Sequence, residues 1–247
     1  MIRFFLSPHA LVLALGALPL VAACSSSSAE ATTHDAGHGA DTGSEKADTG
    51  TKKDAGAPVT KRVFVTSGKF TGDFATQGGA SDGLSGGDAV CNMAAQTAGL
   101  TGTWVAWLST SETNAASRVD LTAIRVLVDG TTKIFDPAGS DGLVSLNPLT
   151  MTENGDTLPT SGDGDGFEVW TGTDGNGHYE TESTEGTSAS TDDACKGWTS
   201  SSSSLAAVEG SLGAVASSVV PDSNWTDGSP DGLDTCDVGD RLYCFEK

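Results

Sequence analysis

Positively charged side chains are scarce in this sequence. It holds 13 Lys and Arg against 33 Asp and Glu, which gives a formal net charge of −20 with histidine neutral. A chain this acidic repels phosphate backbones and anionic lipid head groups, so nucleic-acid binding and a basic membrane-surface helix are excluded. Aromatic residues make up only 6% of the chain, but they include 5 Trp. A disordered chain rarely carries so many, and we therefore expect a folded core.

The N-terminal apolar stretch is too short to cross a membrane. Ala10–Ala23 has 14 residues, whereas a spanning helix needs roughly 20. The stretch ends at Val21-Ala22-Ala23-Cys24, which resembles the lipobox of bacterial lipoproteins, where the cysteine becomes the lipidated first residue of the mature chain. We therefore expect a lipoprotein signal peptide over 1–23 and a lipid anchor on Cys24; the alternative is an ordinary secretory signal. The absence of Asp after Cys24 favours, by the same resemblance, delivery to the outer membrane or cell surface.

Residues 24–60 contain no Phe, Trp or Tyr and are rich in Ser, Ala, Thr, Gly and Asp. Such a segment buries too little apolar area to offset the entropy of ordering its backbone. It is predicted to be a disordered tether between the lipid anchor and a domain over 61–247.

The domain is predicted to be α+β, with short antiparallel strands, one main helix and long loops. The helix is expected over Ser85–Gly99, with Ser85 as its N-cap, Asp88 as a return arm of a capping box, and Met93 on its apolar face. Asp129-Gly130 predicts the two-residue turn of a β-hairpin. Runs of β-prone residues predict strands over 62–66, 104–108, 124–128, 131–135, 167–171 and 241–245.

Motifs of common enzyme classes are missing. The sequence has no HExxH helix, no P-loop and no dinucleotide-binding fingerprint. GxSxG patterns occur at 79–83 and 83–87, but a Gly-rich loop rather than a strand precedes them, and Ser85 is expected to cap a helix. The only histidine of the domain, His178, lies in a glycine-broken loop. We therefore expect no enzyme, and an exported enzyme centred on His178 remains the least favoured alternative.

Cysteine is used sparingly, with five residues in the chain. After lipidation of Cys24 the domain keeps four. An even number in an exported domain predicts two disulfides, for which three pairings exist. A zinc site is the alternative, but the chain has no CxxC pair and the domain has a single histidine.

Several segments follow the order and character of the C-type lectin-like fold, and the endostatin branch is most similar. They are Gly99–Ser109, Ile134–Asp136, Val169–Gly177 and Cys195–Trp198, followed by Cys236 and Cys244 eight residues apart. The stretch Phe64–Cys91 also resembles a bacterial surface-lipoprotein domain family that includes the endostatin-like proteins of spirochaetes. The resemblance covers nearly all of 61–247 and implies the disulfides Cys91–Cys244 and Cys195–Cys236.

Acidic Gly-rich loops are the candidate ligand sites. Asp163, Asp165, Asp174 and Asn176 offer hard oxygen ligands on flexible backbone, so calcium is a candidate cofactor, although no EF-hand register is present. Trp225-Thr226-Asp227 resembles the tryptophan motif of sugar-binding lectins, and Trp225 and Asp227 are candidate ligand contacts. The alternative is that these loops are solvated turns. Endostatin's zinc and heparin sites do not carry over, because Lys61-Arg62 opens the domain without histidine and the domain is strongly acidic.

These observations lead to one functional hypothesis with two alternatives. The leading hypothesis is a lipid-anchored cell-surface binding or adhesion module whose partner is a protein or a glycan, with membrane contact through the lipid alone. The second is calcium-assisted glycan binding, and the third is an exported enzyme.

Overall fold

The structure is a computed structural model that describes residues 59–138, 143–160, 167–180, 193–212, 225–227 and 233–247. All of them belong to the compact unit that spans 54–247. The predicted signal peptide, Cys24, nearly all of the predicted tether, and Asp163 and Asp165 lie outside the described residues. The first strand begins at Thr60, one residue before the predicted start of the domain.

Eight strands form one mixed sheet. The strands are β1 Thr60–Val65, β2 Trp104–Ala106, β3 Ile124–Leu127, β4 Lys133–Phe135, β5 Glu168–Trp170, β6 Ala206–Ser211, β7 Leu233–Thr235 and β8 Arg241–Glu246. Their order across the sheet is β4-β3-β1-β8-β5-β6-β7, and β2 also pairs with β8. All six predicted strands and the β3–β4 hairpin are present: β1 and β8 are one residue longer than predicted, and the other four strands are shorter. β6 and β7 were not predicted.

The expectation that all strands pair antiparallel is wrong for two pairs. β1 lies parallel to β3, and β5 lies parallel to β8. Parallel neighbours need a long crossover between them, and long connections separate both pairs: three helices and β2 lie between β1 and β3. The last strand, β8, therefore occupies the middle of the sheet and contacts β1, β2 and β5.

Four helices connect these strands in the described residues. They are α1 Phe74–Gly78, α2 Gly83–Thr97, α3 Ala115–Arg118 and α4 Asp193–Trp198. The α4 segment is unusual because Ala194, Cys195, Lys196 and Trp198 all have positive φ. Left-handed backbone costs such residues about 1–2 kcal/mol each, so surrounding contacts must hold this turn in place.

The predicted capping of the main helix is wrong. Asp82, not Ser85, is the N-cap: its side chain accepts a hydrogen bond from the Ser85 backbone N–H at 2.8 Å, and the helix begins two residues early. Asp88 is not a return arm, because its carboxylate accepts from the Ala106 N–H at 2.9 Å and pairs with Arg118 at 2.6 Å. It thereby ties α2 to β2 and to α3.

The packing face of α2 consists of small residues. Met93, predicted to be buried, is 48% exposed, while the buried residues are Gly83, Gly86, Gly87, Val90, Cys91 and Ala95. A Cβ on Gly86 would lie 2.2 Å from the backbone carbonyl oxygen of Phe74, so only glycine lets α2 approach α1 this closely. A search for large apolar side chains finds Val90 on this face but overlooks its glycines and wrongly adds Met93.

Alternating strand residues build two cores on opposite faces of the sheet. The helix-side core lies against α1, α2 and α4, and its main members are Phe64, Phe74, Cys91, Trp104, Leu108, Trp170, Cys195, Trp198, Cys236, Leu242 and Cys244. The aromatic core lies on the other face, and its main members are Val63, Val65, Trp107, Ile134, Phe135, Val169, Trp225, Tyr243 and Phe245.

Both disulfides lie in the helix-side core. Cys91 pairs with Cys244 and Cys195 pairs with Cys236, with Cα–Cα distances of 5.5 and 5.7 Å. These are the pairs that the resemblance implies. The first joins α2 to the central strand, and the second fixes the strained α4 segment to the chain just after β7.

Candidate functional site

The loop at Asp174 is held by its own side chains. Asp174 Oδ1 accepts hydrogen bonds from the backbone N–H groups of Asn176 at 2.9 Å and His178 at 2.8 Å. The His178 side chain is 60% exposed, and its Nδ1 lies 3.8 Å from Asp174 Oδ2. One carboxylate oxygen of this predicted calcium loop thus stabilises the turn itself.

Trp225 is not an exposed contact, and that prediction is wrong. Its side chain is fully buried, with ring centroids 5.1 Å from both Trp107 and Phe135, and its indole N–H donates to the Leu143 carbonyl at 2.9 Å. The polar neighbours of Trp225 in sequence suggest a surface loop, but the ring fills the aromatic core. Asp227 is half-buried beside it.

The other four tryptophans are buried as well. No tryptophan therefore provides a surface for stacking on a sugar.

Four carboxylates that sequence reasoning did not single out meet at one end of the helix-side core. They are Glu168 on β5, Glu209 on β6, Asp234 on β7 and Asp240 directly before β8, and we call them the acidic cluster. Strand register explains their meeting. Glu209 lies opposite Trp170, two residues after Glu168, while Asp234 lies opposite Ala207, two residues before Glu209. Side chains two apart on a strand share a face, so these three point to the same side of the sheet.

The acidic cluster is tight and largely buried. One carboxylate oxygen from each residue lies within 4.8 Å of the others. Asp240 is fully buried and Glu209 is 5% exposed, while Glu168 and Asp234 are half-buried. The Glu209 Oε2 atom is buried without a hydrogen-bond partner.

The electrostatics of the cluster are dominated by like charge. Burial, and then repulsion from Glu168, Asp240 and Asp234, raise the pKa of Glu209 to about 9. Positive charge near the cluster comes from Lys69, whose Nζ lies 3.9 Å from Asp240 Oδ1 and whose side chain is one-third exposed, and from Arg241, which interacts electrostatically with Asp240.

The donor set determines what this cluster could hold. Carboxylate oxygens without His or Cys suit hard cations such as Ca²⁺ and Mg²⁺ rather than zinc. The residues are scattered from 168 to 240, so no spacing motif marks them. One signal was present in the sequence: Glu209 is a lone acid inside Ala206–Ser211, a strand that is otherwise apolar or small.

No helix in the described parts of the chain is long and apolar enough to cross a bilayer. No protein-family model matches the chain, and no curated protein is significantly similar to it.

Proposed function

We propose that the protein is a lipid-anchored binding module of the outer membrane or cell surface, with a C-type lectin-like domain of the endostatin type. The observation that carries the proposal is the pair of buried disulfides, Cys91–Cys244 and Cys195–Cys236. Structural disulfides form and persist in oxidising compartments outside the cytosol. They therefore support export, as the N-terminal sequence predicts.

The polar groups of the domain favour binding over catalysis. His178 faces solvent and its recorded side-chain partner is Asp174, so a hydroxyl nucleophile activated by this histidine finds no support in the described residues. The acidic cluster contains carboxylates alone and has no nucleophile of its own. An exported enzyme is therefore the least supported of the three functions.

A protein partner is favoured over a glycan. Glycan recognition commonly uses an exposed aromatic ring, but all five tryptophans are buried. Loops between the strands, including the Asp174–His178 turn and the segment at Asp227, remain the candidate contact surface because the sheet and helices are committed to the two cores.

The anchor is tested on the full-length chain in bacteria that process lipoproteins. We expect the protein in the membrane fraction, with a mature chain that starts at lipidated Cys24 by mass spectrometry, and we expect Cys24→Ser to release it. Cells that display the wild-type protein are then screened against matrix proteins and glycans, with Cys24→Ser cells as the matched control. An unmodified chain that starts elsewhere, or a Cys24→Ser variant that stays on the membrane, would overturn the anchoring proposal.

A further inference from the structure

We propose that the acidic cluster of Glu168, Glu209, Asp234 and Asp240 is a binding site for one Ca²⁺ ion. This inference goes beyond the proposed function, because it depends neither on the lipid anchor nor on the identity of a partner. It also moves calcium away from the acidic Gly-rich loops to which the sequence assigns it.

The closeness of four acidic residues is not enough to support the inference. The decisive observation is the buried side chain of Glu209, which has an unpaired oxygen. Its Oε2 atom is buried without a hydrogen-bond partner, on a side chain that is 5% exposed and directed at three other carboxylates. A buried polar atom without a partner costs roughly 1–3 kcal/mol, and more when the group is charged. A cation at the centre of the cluster removes this cost, since it supplies the missing partner and cancels the repulsion.

The geometry of the oxygens selects the kind of cation. Ca²⁺ takes oxygen ligands at 2.3–2.6 Å, so ligands on opposite sides of the ion are about 4.6–5.2 Å apart. Four oxygens that lie within 4.8 Å of one another fit around such an ion. Mg²⁺ needs opposite ligands only about 4.0–4.2 Å apart in strict octahedral geometry and gives up its waters reluctantly, which suits an all-carboxylate, mostly buried cluster less well.

The position of the cluster allows an ion to enter from solvent and to be bound by buried ligands. Glu168 and Asp234 are half-buried and form the rim, whereas Glu209 and Asp240 form the buried floor. Lys69 approaches Asp240 from a side chain that is one-third exposed, so it can withdraw toward solvent when the ion binds. Even with Lys69 and Arg241 nearby and Glu209 neutral, the other three carboxylates leave an excess of negative charge, which favours binding of a cation.

Binding of the ion would connect several strands of the sheet. The four ligands come from β5, β6, β7 and the residue before β8, so one ion would join the edge of the sheet to its central strand. An ion that binds the folded chain and not the unfolded chain stabilises the fold by mass action. Calcium should therefore raise the thermal unfolding temperature.

The test uses the full-length, disulfide-bonded protein in detergent, stripped with EDTA and titrated with CaCl₂ or MgCl₂ by calorimetry and thermal unfolding. We expect one Ca²⁺ per chain, a rise in the unfolding temperature, and clearly weaker binding of Mg²⁺. The Glu209→Gln substitution keeps the shape of the side chain and should weaken Ca²⁺ binding at least about 100-fold, as expected when a charged ligand of a carboxylate site becomes neutral. Asp234→Asn, at the rim, should also weaken it.

The matched control is Asp174→Asn, which removes a carboxylate from the loop that the sequence favoured and should leave Ca²⁺ affinity unchanged. Glu209→Gln should fold, because it removes a buried acid from a repulsive cluster; its metal-free unfolding temperature should equal or exceed that of the wild type.

Absence of Ca²⁺ binding at about 10 mM, beyond the range of weak extracellular calcium sites, would overturn the proposal. Loss of binding in Asp174→Asn with retention in Glu209→Gln, or equal affinity for Mg²⁺, would do the same. Since anchoring is not measured, failure of the lipid proposal would leave this result interpretable.

Discussion

The two faces of the central sheet are stabilised in different ways. The helix-side core holds all four cysteines of the domain, and α2 approaches it through buried glycines. The aromatic core has no disulfide, and Trp225 alone lies within 5.1–6.3 Å of four other rings.

Both cores bury large rings: Trp104, Trp170 and Trp198 lie on the helix side, and Trp107 and Trp225 lie on the other side. The difference lies in what packs against the sheet. The α2 face consists mostly of small residues and gains little from burial, and the cross-links add stability there by restricting the unfolded chain. On the other face rings pack on rings, which gain both from buried area and from tilted contacts. The same strands serve both faces: in β8, Cys244 belongs to the helix-side core and its neighbours Tyr243 and Phe245 belong to the aromatic core.

The largest expected effect is on the helix-side core. Removing Cys91–Cys244 by the double substitution to Ala should lower the free energy of unfolding by about 5 kcal/mol, because this bridge closes a loop with a sequence separation of 153. Urea unfolding followed by tryptophan fluorescence measures it. The matched control is Cys195–Cys236, with a separation of 41, whose removal should cost about 4 kcal/mol. A loss below about 1 kcal/mol for both would contradict the role of the cross-links.

The next effect is on the aromatic core. Trp225→Ala should lower the free energy of unfolding by about 3–5 kcal/mol, because it opens a cavity among Trp107, Phe135 and Phe245. Trp225→Phe keeps ring contacts and should cost clearly less. The same urea experiment measures both. If Trp225→Ala left stability unchanged but abolished binding to a partner, the buried position of this ring would be contradicted.

Features that depend on local sequence were predictable, whereas features that depend on long-range contacts were not. Strands β1, β2 and β8 and the Asp129-Gly130 hairpin were predictable, because runs of β-prone residues and turn chemistry are local signals. The disulfide pairs required the resemblance, since spacing alone leaves three pairings. The glycine face of α2 was missed because periodicity analysis looks for large apolar residues.

The candidate site was even harder to predict from the sequence than the two cores. The Asp174 loop was conspicuous because its polar residues are adjacent in the chain, and the structure uses that carboxylate for its own turn. The acidic cluster escaped notice because its members meet only through the pairing of β5 with β6 and of β6 with β7, which no local pattern encodes.

The smallest expected effect concerns the arginines that cover the two cores. Arg62 lies 5.3 Å above Trp104 of the helix-side core, and Arg125 lies 5.5 Å above Phe245 of the aromatic core. Both are anchored at Glu246, but Arg62 binds its carboxylate whereas Arg125 donates to its backbone carbonyl. Burial lowers the pKa of Arg125 to about 10, so this arginine stays charged at neutral and acidic pH. The hydrogen bonds of Arg125 go to backbone carbonyls, whereas Arg62 is held directly by a carboxylate, which titrates in acid.

Acid should therefore weaken the contact of Arg62 with Trp104 more than the contact of Arg125 with Phe245. Hydrogen bonds from Arg62 hold the pKa of Glu246 below its ordinary value, so the contribution of this carboxylate is present at neutral pH and is lost as the pH falls through the folded-state pKa. Both partners are partly exposed, so the pair should contribute about 1 kcal/mol or less. We expect Glu246→Gln to be less stable than the wild type at neutral pH and equally stable in strong acid, by urea unfolding in EDTA. Glu112→Gln, at an exposed position, is the control and should follow the wild type throughout. A Glu246→Gln deficit that persists undiminished into strong acid would mean that the ion pair with Arg62 does not cover this end of the helix-side core.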